Sequence, residues 1–138
     1  MKYNSEVINQ VYMDNRLYGF LLNDNVLFNI ATRRLVHYAD EISEHNMSFK
    51  TVSLSETQSR LLTCLLTNRS SAVIYKDDIL TSVWDEFSLS SSNQRLWQTV
   101  NELRRKLSFI GLPDDFITNV HGMGYTVNNS KVGSLHIT

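Results

Sequence analysis

From Gly19 to Leu54, short apolar and aromatic runs alternate with turn-forming residues. GFLL is followed by Asn23-Asp24-Asn25, VLFNI by Ala31-Thr32-Arg33, then come RLVHY and, after a polar stretch, KTVSL. β-branched and aromatic runs separated in this way are a hairpin signal, and they predict a small antiparallel sheet of four strands over about residues 18–54. The intervening ADEISEHNMSF is too polar for core and reads as a long, partly mobile loop.

At Ser55 the period changes from two to between three and four. Ser55-Glu56-Thr57-Gln58 has the capping-box pattern, in which the serine oxygen accepts an orphan N–H and the glutamine reaches back, and the leucines that follow recur at helical spacing to about Thr67. Ala72-Val73-Ile74 reads as a brief strand. Asp77-Asp78 favour a second helix start by complementing the helix dipole, with Ile79, Leu80, Val83 and Trp84 turned inward. Ser91 with Gln94 repeats the capping pattern and opens a third helix over about residues 92–108. Gly111-Leu112-Pro113 stops it.

In that third helix Leu96, Val100, Leu103 and Leu107 form one stripe, spaced four, three and four. The opposite side carries Gln94, Gln98, Asn101 and Arg105, flanked by Arg95 and Glu102. Arginine forks to guanine O6/N7, and asparagine and glutamine make the equivalent pair with adenine N6/N7, so this face reads either as a base-reading surface or as a solvated helix side. Two helices joined by a short loop, the second long and basic, match the helix-turn-helix arrangement. Thr99, Arg104 and Lys106 lie nearer the flanks and suit phosphate contact. Glu102 either accepts from cytosine N4, or holds Arg95 or Arg105, or pairs with Lys106 one turn on.

Charge alters this picture only through its distribution. The 138-residue chain has a formal net charge of −1, yet Arg95, Arg104, Arg105 and Lys106 stand against Glu102 alone in the third helix, so a balanced total can hide a basic face. Length and a 42% hydrophobic content fit one domain with its own core. The first fifteen residues alternate polar and apolar groups, unlike a secretion signal, and apolar runs fall far short of the roughly 20 residues that span a bilayer. Cys64 is a lone cysteine among helix leucines, which reads as a core thiol in a reducing compartment. No GxSxG, HExxH or P-loop motif is present, and Asp77-Asp78 and Asp114-Asp115 fit a helix start and a turn better than an acid/base pair, so no catalysis is expected. His37, His45, His121 and His136 show no paired metal spacing, so neither metal nor cofactor is expected.

Phe116–Val120 and Tyr125–Val127 are two strand-like runs around His121-Gly122-Met123-Gly124. A phosphate loop would need those glycines between a strand and a helix N-terminus, and no helix pattern follows. A hairpin directly after a groove helix is a wing. LSETQSRLLTCL, YKDDILTSVW, ELRRKL and TNVHGMGYTV together make the chain resemble the OmpR-type winged-helix DNA-binding family, over roughly Gly19 to Val127.

The resemblance implies an α+β winged helix-turn-helix: a four-stranded N-terminal sheet, a three-helix core over 55–109, and a C-terminal wing over 115–128, all within one domain, 1–128, with 129–138 as tail or start of a linker. It implies sequence-specific binding to double-stranded promoter DNA by a bacterial transcription regulator, with the third helix in the major groove and the hairpin 116–127 in the minor groove. By position it assigns Arg95, Gln98, Thr99 and Glu102 to the groove face, Asn119 to a phosphate contact, and His121 to the minor groove where the family usually has arginine. A neutral imidazole is the weaker minor-groove probe.

No receiver domain fits before Tyr18. The chain is therefore most similar to the CadC and ToxR type, and is expected to be cytoplasmic, as the cytoplasmic part of a membrane-tethered regulator, with a full-length stand-alone protein as the alternative. RNA polymerase or a second copy paired head-to-tail is the expected partner, and no small-molecule ligand is expected. The competing class is a winged-helix protein-interaction module whose polar helix face binds another protein.

Overall fold

A computed structural model describes residues 16–38 and 49–137, and among these residues the chain forms eight strands and three α-helices. The expected loop over 39–48 and the alternating pattern before Arg16 lie outside the described residues.

Strands β1 (Arg16–Leu22), β2 (Val26–Asn29), β3 (Arg34–Tyr38) and β4 (Phe49–Ser53) follow one another antiparallel, as their turn chemistry predicts. Asn23 and Asp24 take φ of 52° and 65° in the first turn, a conformation that Asn and Asp tolerate better than most side chains. Alternation then decides the faces. Phe20, Phe28 and Leu35 stand side by side across β1, β2 and β3 and are buried, while the next row, Leu21, Leu27 and Val36, is only partly covered. The rings of Phe20 and Phe28 stack at 6.4 Å.

One strand was not legible. The stretch expected to be tail or linker contains β8 (Val132–Ile137), which pairs antiparallel with β1 and makes the sheet five-stranded, in the order β4-β3-β2-β1-β8. Its Gly133-Ser134 and thin apolar content carry little local strand signal. What fixes it is the free edge of β1, whose N–H and C=O groups need partners. The Asn23 N–H donates to the Lys131 carbonyl at 2.8 Å, locking the approach.

Helix α1 (Glu56–Thr67) begins with the capping box foreseen at Ser55 and Gln58, both halves of which are made. A two-residue strand β5 (Ile74–Tyr75), shifted onto Tyr75 from the expected Ala72-Val73-Ile74, leads into α2 (Lys76–Val83). After a single 3-10 turn at Asp85–Phe87, α3 (Asn93–Ile110) starts one residue later than its sequence pattern suggests: Ser92, not Ser91, is the N-cap, its hydroxyl accepting the Arg95 N–H at 3.0 Å. That geometry satisfies one orphan donor without Gln94. Gly111, at φ 105°, closes the helix.

The three helices bury Leu61, Leu62, Leu65, Ile79, Leu96, Leu103 and Leu107 in one core with Trp84, just past α2, and with Phe20, Phe28 and Leu35 of the large sheet. Strands β6 (Ile117–Val120) and β7 (Gly124–Val127) form the hairpin, and β5 adds to β7, giving a second sheet in the order β5-β7-β6. The architecture is an α+β winged helix.

Candidate nucleic-acid interface

The inward side of α3 is committed to the core: Leu96, Val100, Leu103, Leu107 and Ile110 are all at most 2% exposed. Its outward side is therefore fixed in direction. Gln94, Gln98 and Arg105 are exposed there and Asn101 is half-exposed, and among the described residues none of these four side chains enters a hydrogen bond or ion pair. Gln98, Asn101, Glu102, Arg104 and Arg105 line one shallow depression together with Trp97. Arg95 is exposed too, but Nη1 folds back to the Ser90 carbonyl at 3.1 Å, leaving its remaining donors outward.

Three of the expected phosphate contacts have partners within the fold. Thr99 is 7% exposed and its hydroxyl donates to the Arg95 carbonyl at 2.8 Å, the back-bonding open to a threonine inside a helix, so it faces the core rather than a phosphate. Lys106 extends the other way, Nζ donating to the Ser53 carbonyl at 2.8 Å and to Gln58 Oε1 at 2.7 Å, so it braces α3 on β4 and α1. Arg104 donates through Nε to the Ile117 carbonyl at 3.2 Å and through Nη2 to Asn119 Oδ1, with its guanidinium 5.9 Å from the Tyr125 ring. It is a tie between helix and wing before it is a phosphate ligand. Asn119, whose oxygen receives that bond, keeps its amide protons for other partners.

Glu102 shows none of the ion pairs weighed for it. The ion pairs among the described residues both involve Glu56, with Arg33 and Arg60. Glu102 Oε2 instead accepts from Gln58 Nε2 at 3.1 Å, the amide standing between it and Lys106.

The small sheet holds the wing on β5. Gly124 lies so near β5 that a Cβ there would fall 2.0 Å from the Ile74 carbonyl oxygen. Beyond it the tip is a tight turn, closed by the Met123 N–H on the Val120 carbonyl at 2.9 Å, with Gly122 at φ 69°. His121 and Met123 are exposed at that tip.

Trp97 was missed by sequence reasoning. It is 58% exposed, against 1% for Trp84. Helical spacing places it between the polar face and the side facing the wing, and an aromatic at a polar-face boundary was the available signal. Cys64 is half-buried beside the core, and burial, the largest influence, pushes its thiol above the ordinary range. Among the described residues no three His, Cys, Asp or Glu side chains converge to hold a metal ion, and no helix is long and apolar enough to cross a membrane.

Comparison with known proteins agrees with this geometry. Residues 50–127 match the family described as transcriptional regulatory protein, C terminal. Over 76 residues the chain is 38% identical to the response regulator protein GraR of Staphylococcus aureus (strain MRSA252), covering 55% of this chain and 33% of that protein. GraR of Staphylococcus haemolyticus (strain JCSC1435) is 35% identical over 74 residues, 54% of this chain and 32% of that one. The chain thus spans about a third of the length of the curated relatives it matches.

Among solved structures, the DNA-binding domain of E. coli CadC superposes with a TM-score of 0.65 at 17% identity, covering 88% of this chain and 99% of that one. The C-terminal domain of the nisin resistance regulator NsrR gives 0.52 at 26% identity, covering 81% and 94%. The family match extends over more than half of the chain and spans the helical core and the wing. The protein belongs to the family of transcriptional regulatory protein C-terminal domains, the OmpR-type winged-helix DNA-binding transcription regulators.

Proposed function

We propose that this domain reads a specific duplex sequence with α3 in the major groove and the hairpin tip in the adjacent minor groove. One observation carries the reading: Gln98, Asn101 and Arg105, three side chains suited to base edges, stand uncommitted among the described residues on the outward face of a helix whose other face is locked into the core. Gln94, Arg95 and Glu102 extend that surface. The remaining guanidinium protons of Arg104 and the amide of Asn119 serve phosphates at the helix–wing junction, and His121 enters the minor groove.

In this reading the domain performs no catalysis and acts in the cytoplasm. Specificity comes from two copies on a repeated site, because one module of this size reads a short half-site. Head-to-tail pairing predicts that a single half-site binds more weakly than the repeat. RNA polymerase is the partner downstream. Tethering to a membrane, as in regulators of the CadC and ToxR type, predicts a run of about 20 apolar residues encoded after Thr138.

The decisive experiment is binding to promoter DNA at a series of salt concentrations. Phosphate neutralisation makes log K fall linearly with log salt. A slope near zero would sink the DNA reading in favour of a protein-binding surface.

A further inference from the structure

The capping box of α1 also has a long-range consequence. Gln58 is 7% exposed, on the first helix rather than on α3. Its Oε1 accepts the Ser55 backbone N–H at 3.0 Å and the Lys106 ammonium at 2.7 Å. Both partners can only donate, so the amide has one allowed orientation. Turned over, its NH2 would face two donors inside a covered site. Nε2 is therefore directed at Glu102, where it donates to Oε2 at 3.1 Å. Lys106 is in turn held by the Ser53 carbonyl, which fixes the whole chain of contacts to β4.

The result is a carboxylate held at one oxygen by a covered donor, while the residue itself is exposed in the same depression as Gln98 and Arg105. Among the described residues Oε1 of Glu102 takes part in no hydrogen bond. An acceptor-only group at that place favours a base that presents an amino group and no neighbouring acceptor. Cytosine, with N4 beside an apolar C5–H, meets this condition. Guanine and thymine present acceptors, and adenine sets N7 beside its amino group.

We propose that Gln58 is a positioning residue for sequence readout, orienting Glu102 to accept from the N4 amino group of a cytosine without touching DNA itself. The inference rests on the DNA reading given under Proposed function. It differs from a purely structural role for Gln58 in predicting an effect on one base pair rather than on overall affinity.

The test uses the 138-residue chain and a randomised duplex library, followed by duplexes altered at single positions. Gln58→Glu keeps an acceptor for Ser55 and Lys106 but replaces the donor facing Glu102 by a second acceptor. Preference for cytosine at one position should fall from roughly five- to tenfold toward unity, with other positions unchanged. Glu102→Ala should produce the same loss, and the double variant no further change. An unaltered preference in Gln58→Glu, a uniform fall over all sequences, or an effect that persists in the Glu102→Ala background would each overturn the proposal.

Should Gln58→Glu fail to fold by circular dichroism, the side-chain amide resonances of Gln58 in the unaltered protein decide the matter. They shift on binding the selected duplex and shift less when its cytosine is replaced; equal shifts overturn the proposal. A chain that selects no sequence at all overturns the DNA reading, and this inference with it. A chain that selects a sequence with no position dependent on Gln58 overturns this inference alone.

Discussion

The guanidinium of Arg104 donates to the side-chain oxygen of Asn119, fifteen residues further along the chain, so α3 itself sets where the wing stands. A second bond, to the Ile117 carbonyl, fixes the direction of the contact as well as its length. Helix and wing are thereby held as one continuous surface.

Arg104→Ala should cost about 1–3 kcal/mol of stability, since it leaves a partly covered carbonyl without its charged donor. Urea unfolding measures this. DNA affinity should fall by a similar factor for every sequence, with base preference along α3 retained. A change in base preference without loss of stability would show that Arg104 reads bases and does not set the wing.

Trp97 and Trp84 differ enough in exposure to be told apart by fluorescence. Iodide should quench Trp97 and spare Trp84, and specific duplex should protect Trp97 from it. Trp97→Ala should change stability by no more than about 0.5 kcal/mol, as for an exposed site away from special features, while weakening DNA binding. Protection of neither tryptophan by duplex would place Trp97 outside the interface.

The two wing glycines should respond differently to alanine. Gly122 has a left-handed backbone and open space around its Cβ direction, so Gly122→Ala should cost about 1–2 kcal/mol. At Gly124 the new methyl would run into the Ile74 carbonyl, backbone that cannot turn aside, and Gly124→Ala should cost about 3 kcal/mol. Thermal unfolding of the pair settles the order. Equal losses would mean that β5 can separate from β7 freely.

Alkaline pH should destabilise the fold. Burial raises the Cys64 thiol, and burial also raises the Tyr125 phenol, against a smaller lowering by Arg104. In each case the unfolded chain loses its proton first. Stability is thus complete below the ordinary range of the thiol, about 8.5, and declines as pH rises past it and then past the phenol's, about 10. Cys64→Ala should remove the earlier part of the decline. An identical pH profile for that variant would mean that Cys64 ionises equally in both states.

The local code of the chain determined most of the frame. Period-two runs bounded by Asn23-Asp24-Asn25 and Ala31-Thr32-Arg33 defined the first three strands and the KTVSL run the fourth, the Ser55/Gln58 box defined the start of α1, and the Leu96, Val100, Leu103, Leu107 stripe fixed which side of α3 turns inward. These are interactions between near neighbours, and near neighbours are written side by side. Tertiary structure decided what depended on distant partners. β8 became a strand because β1 had an open edge; Lys106 turned to Gln58 and Ser53, and Arg104 became a tie to Ile117 and Asn119, because those acceptors lay within reach of their long side chains. Thr99 turned inward where a buried hydroxyl could bond the preceding turn. A helical wheel gives the direction in which a side chain leaves its helix, but the bond it finally makes depends on which acceptor the rest of the fold brings to its tip.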